Sequence, residues 1–132
     1  MSIKLFFLMA GFSVFFAACY TGPVTIPDGA TAAEIVQMGQ VAMDRNRLAQ
    51  AIQYYEAIRL RFPENSEAVV GADYEIAFIH YKQEKYDDAR EEFSALLEKY
   101  NAPEGGGLPK KYQILSNTVL KKIMDSQKSS VK

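Results

Sequence analysis

Side chains suited to covalent or acid–base chemistry are scarce in this 132-residue chain, which has one Cys, Cys19, and one His, His80. A single thiol cannot close an internal disulfide, and one imidazole without a second Cys cannot build a Cys/His zinc set or a nucleophilic pair. His80 falls on the inward side of an expected helix with no spaced carboxylate or thiol beside it, and reads as a core or groove residue. The pairs Asp87-Asp88 and Glu91-Glu92 open another expected helix. Acids there complement the positive helix N-terminus, and adjacent residues do not face each other as a catalytic dyad must. Gly105-Gly106-Gly107 lacks the following Lys-Ser/Thr and the preceding strand of a phosphate loop, and reads as a flexible connector. The expectation is that the chain is not an enzyme and needs no metal or cofactor. Fifteen basic against sixteen acidic residues, net −1, also argue against a nucleic-acid partner.

The remaining role for Cys19 is set by what precedes it. Residues 5–19 carry no charge, follow Lys4, and end in Ala17-Ala18-Cys19. The run is short of the roughly 20 residues that cross a hydrocarbon core, and its small-residue end suits a cleaved signal peptide. Phe16-Ala17-Ala18-Cys19 resembles a bacterial lipobox, with Phe where Leu is usual. The resemblance implies removal of residues 1–18 and a covalent lipid such as palmitate on Cys19. Tyr20, in place of Asp, implies an outer-membrane address facing the periplasm. Residues 19–30, with two Pro and two Gly between Tyr20 and Gly29, are expected to form a tether.

The elements behind the tether are helical. Apolar residues at 48, 51, 52, 55, 58 and 62, and again at 86, 89, 93, 96, 97 and 100, each trace one stripe of a 3.6-residue helix. A shift of 38 places Leu48 on Tyr86, Ala51 on Ala89, Tyr55 on Phe93 and Ile58 on Leu96. The same shift places Met38 on Ile76, Gly39 on Ala77 and Met43 on Tyr81, so the preceding helices repeat too. Thr31-Ala-Ala-Glu34 predicts a capping box, Pro63 closes the second helix, and Ser66 is expected to cap the third. Past a loop at 102–109, Lys110–Met124 predicts one more amphipathic helix, read as a cap over the second hairpin, with a polar tail at 127–132.

Met38, Gly39, Ala51, Tyr55 and Pro63, then Ile76, Ala77, Tyr86, Ala89 and Phe93, resemble the tetratricopeptide repeat. The resemblance implies an all-α fold over residues 31–126, with repeats at about 32–65 and 66–101 and the cap helix at 110–124: a fragment of an α-solenoid. The extra residues at 64–70 and the run Arg61-Phe62-Pro63-Glu64-Asn65-Ser66 are similar to repeats of periplasmic lipoproteins such as the assembly subunit BamD and the cell-division coordinator CpoB. By the family's geometry, Val36, Gln40, Met43 and Asp44, with Tyr74, Phe78, Tyr81 and Lys82, would line a concave surface. Large apolar groups off the core stripe suggest a contact surface for a partner protein or peptide; the alternative is that the C-terminal helix or the tether folds over them. The implied function is a lipid-anchored periplasmic adaptor or scaffold for another envelope protein, with outer-membrane protein assembly as the leading role. A structural or pilotin-like lipoprotein, or a repeat component of a solute-uptake system, is the alternative.

Charge is uneven along the chain. Residues 19–108 hold 8 basic and 15 acidic side chains, whereas residues 109–132 hold six Lys and one Asp. The basic end reads as a solvated helix terminus or as a dock for an anionic partner or lipid head group.

Overall fold

Residues 22–129 are described by the structure, a computed structural model, so the expected leader and Cys19 lie outside the described residues. Five α-helices follow one another: α1 (Ala32–Asp44), α2 (Leu48–Arg61), α3 (Ser66–Lys82), α4 (Tyr86–Asn101) and α5 (Lys110–Ser129). The apolar stripes pair α1 with α2 and α3 with α4 as antiparallel hairpins, α2 and α3 join the hairpins, and α5 lies against α4 and α3. The fold is all-α, an α-solenoid fragment of two hairpins closed by a fifth helix.

Local chemistry sets the helix ends. The Thr31 hydroxyl accepts the Glu34 backbone N–H while the Glu34 carboxylate accepts that of Thr31, satisfying two otherwise orphaned donors. At α3 the cap is Asn65 and not Ser66: the Asn65 side chain accepts the Ala68 N–H at 3.1 Å, and Ser66 is already helical. Of the extra residues at 64–70, those from Ser66 onward add a turn at the start of α3, which has 17 residues where α1 has 13.

The 38-residue repeat extends to the backbone of the two hairpin turns. Asn46 and Glu84 both adopt left-handed conformations, with φ of 55° and 61°. In each turn two amides bond back to the helix: Arg47 to Ala42 and Asn46 to Met43 in the first, Lys85 to His80 and Glu84 to Tyr81 in the second. These pairs satisfy the last helical carbonyls in the manner of a Schellman cap.

Between the helices of each hairpin, small residues set the spacing. A Cβ on Gly39 would lie 2.7 Å from Tyr55 Cζ, so the Tyr55 ring occupies the space glycine leaves. Ala77 and Phe93 repeat that arrangement in the second hairpin, and Tyr55, Ala77 and Phe93 are all fully buried. Ala51, Ile76 and Ala89 are buried beside them. Met38 departs from the expected packing: it is only partly buried and lines an outward-facing cleft with Pro27, Val41 and Tyr54. Its counterpart Ile76 is covered by α2 of the preceding hairpin, and no repeat among the described residues precedes α1.

Three expectations about connections are corrected. Residues 22–30 are not a free tether but a strap along α2. The Gln53 side chain accepts the Val24 N–H at 3.0 Å, and the Arg61 guanidinium donates to the Pro27 and Ile26 carbonyls at 2.9 and 3.3 Å; Ile26 and Ala30 join the core of the first hairpin. The glycines at 105–107 are not a loose connector either, since Pro103–Gly107 form a 3-10 turn and Gly105 is buried. Finally, α5 continues past 124 to Ser129, because Arg90 on α4 reaches Gln127 at 3.4 Å and Ile123 is fully buried.

Left-handed φ costs a residue with a Cβ about 1–2 kcal/mol, less at Asn46, whose side chain tolerates it. Glu84→Gly should therefore raise the unfolding free energy by about 0.5–1 kcal/mol after the entropic penalty of glycine. Urea denaturation measures it; a loss of stability would show that Glu84 makes a compensating contact.

Candidate functional site: an aromatic row on α3

α3 carries Tyr74, Phe78 and Tyr81 along one side, and α4 and α5 extend the row. Tyr112 of α5 lies 5.5 Å from Tyr74 between ring centroids, Tyr74 stacks on Phe78 at 5.9 Å and 11°, Phe78 on Tyr81 at 6.0 Å, and Tyr81 meets Tyr86 at 5.8 Å. Such offset and tilted pairs contribute about 0.5–1.5 kcal/mol each beyond burial. The row is closed at one end and open at the other. Tyr74 is 8% exposed, wedged between Phe93 and Tyr112, whereas Phe78 and Tyr81 are half-buried.

The expected groove is therefore divided. Tyr74 does not line it: α5 folds over that ring, and Gly71 makes room, since a Cβ there would meet the Tyr112 hydroxyl at 2.8 Å. Phe78 and Tyr81 keep an exposed edge, with Lys82 exposed beyond them. On α1, Gln40 is exposed and Val36 half-buried. Met43 is half-buried, its sulfur 3.6 Å from the Tyr55 hydroxyl, so it belongs partly to the hairpin core.

Two polar networks brace α3 from the other side, and neither was anticipated. Asp73 is 8% exposed and accepts from Arg59 Nε of α2 at 2.6 Å and Lys99 Nζ of α4 at 2.5 Å. An Asp inside the apolar stretch Val70–Ile79 is the signal that could have exposed it, because a buried charge needs a partner. His80 does have a carboxylate: Glu92 of α4 approaches Nδ1 at 2.7 Å. This places His80 in an inter-helix brace. Among the described residues no three His, Cys, Asp or Glu side chains gather as a metal set, and no helix is long and apolar enough to cross a membrane.

Burial pushes the Glu75 carboxyl above its ordinary value of 4.5, with Lys111 pulling the other way. Burial likewise raises the Tyr74 phenol, with Glu75 adding to it.

Residues 42–108, just over half of the chain, match the tetratricopeptide repeat family. The chain belongs to the tetratricopeptide repeat family. Domains of this family are in general non-catalytic modules for protein–protein interaction. The chain is also 32% identical over 111 residues to an uncharacterized protein of Treponema pallidum (strain Nichols). The similarity covers 83% of this chain and 44% of that protein, so the chain spans less than half of its relative's length. No solved structure matches.

A carboxyl whose pKa is raised by folding binds its proton more tightly in the native state, so its contribution to stability declines as pH rises through 4.5 and beyond. Glu75→Gln should remove that decline. Thermal melts between about pH 4 and 7 should show the variant gaining on the wild type as pH increases; parallel curves would assign the pH dependence elsewhere.

Proposed function

We propose that the protein is a lipid-anchored adaptor of the bacterial envelope, acylated at Cys19 and holding a segment of another envelope protein against Phe78 and Tyr81. The observation that carries the adaptor reading is the open end of the aromatic row. Four rings in a row, Tyr74, Phe78, Tyr81 and Tyr86, at centroid spacings of 5.8–6.0 Å leave Phe78 and Tyr81 only half-buried, and aromatic side chains in that state supply large contact area at low conformational cost. The anchor reading is supported by the uncharged run that ends at the single Cys of the chain. One acyl chain gives marginal membrane binding and two or more give stable attachment. The process we propose is outer-membrane protein assembly, on the similarity of the stretch Arg61–Ser66 to repeats of lipoproteins such as BamD, and the location is the periplasmic face of the outer membrane.

Two experiments separate the halves of this proposal. Metabolic labelling with palmitate should mark the wild type and not Cys19→Ser; label retained in the variant would place acylation elsewhere. Extraction in mild detergent should copurify the β-barrel assembly machinery with the wild type, and Phe78→Ser/Tyr81→Ser should reduce recovery about tenfold or more, the loss expected for two interface aromatics, with the circular dichroism of the helices unchanged. Equal recovery with a folded double variant would overturn the groove, and purification of the chain alone in several detergents would overturn the proposed process.

A further inference from the structure

α3 has four sides, and three of them are taken up inside the fold. Ala72, Ile76 and Ile79 join the core of the first hairpin, and Val70, Tyr74 and Ala77 join that of the second. Asp73 and His80 pair with side chains of α2 and α4. The fourth side carries Gly71, Glu75, Phe78 and Lys82, spaced four, three and four residues apart as one helical stripe must be. Tyr112 of α5 closes the Gly71 end of this stripe, with its hydroxyl set against that glycine, and Lys82 is exposed at the other end. Between them Glu75 and Phe78 are half-buried, one turn apart.

Glu75 is left incomplete by the fold. Asp73, two residues earlier, is met by two cations, and His80, five residues later, by a carboxylate. The Glu75 carboxyl is partly withdrawn from water, yet among the described residues it makes no hydrogen bond and no ion pair. The groups that act on it do not satisfy it. Lys111 of α5 favours its charged form from beyond ion-pair distance, and the Lys111 ammonium itself stands 4.7 Å from the centre of the Tyr112 ring. Lys82 is seven residues on, about 10 Å along the helix. The phenols of Tyr55 and Tyr74, whose ionisation Glu75 opposes, carry no positive charge to offer it. Burial works against the charged carboxylate, and an unpaired charge in such a place is a cost that the rest of the fold has to offset.

We propose that Glu75 selects the partner segment by receiving a Lys or Arg side chain from it, with the aliphatic stem of that residue lying along the exposed edge of Phe78. This role rests on the reading of Phe78 and Tyr81 as a partner surface, and it adds the chemistry of the partner: a basic residue set among apolar ones. A cation brought by the segment completes the carboxylate in a setting that is already partly dry, where a charge-assisted contact is stronger than in water. The Phe78 ring one turn away packs on the stem and attracts the charge. An Asp or Glu at the same place in a segment would meet an unpaired carboxylate and be turned away, so Glu75 discriminates by repulsion as well as by attraction.

Selection from a phage-displayed library of random peptides on the full chain, held in mild detergent, reads the preference directly. Peptides that bind the wild type and not Phe78→Ser/Tyr81→Ser define the surface, and they should share a Lys or Arg at one position and exclude Asp and Glu there. In a synthetic copy of such a peptide, replacing that basic residue by Met should weaken binding to the wild type about tenfold, the loss expected when one member of a partly desolvated charge pair is removed. The same replacement should change binding to Glu75→Gln by less than about twofold, because the two changes act on one contact. Glu75→Gln keeps the shape of the side chain, and unchanged helical circular dichroism shows that folded chains are being compared. Ring-dependent peptides without a basic preference, or an equal loss on both forms of residue 75, would overturn the role of Glu75 and leave the partner surface standing. A library that yields no ring-dependent peptide would overturn the surface itself, and the basic preference with it.

Discussion

The fold depends on how closely the two helices of a hairpin can approach. At Gly39 there is no room for a side chain beyond hydrogen, because the Tyr55 ring would lie 2.7 Å from any Cβ. Ala77 with Phe93 repeats the arrangement with one methyl group more. An aromatic ring beside a small residue fills the hairpin at interior density with few atoms to misplace, which suits the small core that the five described helices share. Once the spacing is set, the remaining faces of α2 and α3 are brought together, and the second hairpin stacks on the first.

α3 bears the consequences. It is buried on most sides, from Val70 to Ile79, by α2, α4 and α5. Its most deeply buried carboxylate, Asp73, is neutralised by cations reaching in from both flanking helices, and Gly71 admits Tyr112 of α5. The aromatic row is the leftover of this crowding. Where α5 covers it, Tyr74 becomes core; beyond that cover Phe78 and Tyr81 stay half-buried.

The hairpins were legible in the sequence because their determinants are local or periodic. Thr31 and Glu34 cap each other three residues apart, and the 38-residue shift aligns Gly39 with Ala77 and Tyr55 with Phe93. The same shift recurs in the left-handed φ of Asn46 and Glu84. The features that the sequence does not display depend on contacts between distant segments. Residues 22–30 look like a linker by composition, yet the Gln53 amide and the Arg61 guanidinium capture their backbone from about 30 residues away. Met38 has the residue type of a core position, but among the described residues no preceding hairpin stacks on it. Tyr74 lies off the apolar stripe of its own hairpin and is claimed by a helix nearly forty residues later. Asn65 and Ser66 are both good caps, and only the backbone decides between them.

Amide hydrogen exchange tests most directly whether α3 is the centre on which the other helices rest. Amides from Ala72 to Ile79 should exchange slowest of all and only by global unfolding, while the first turn of α1 and the last turns of α5 open locally at much lower free energy. Exchange in α3 as fast as at those helix ends would contradict it.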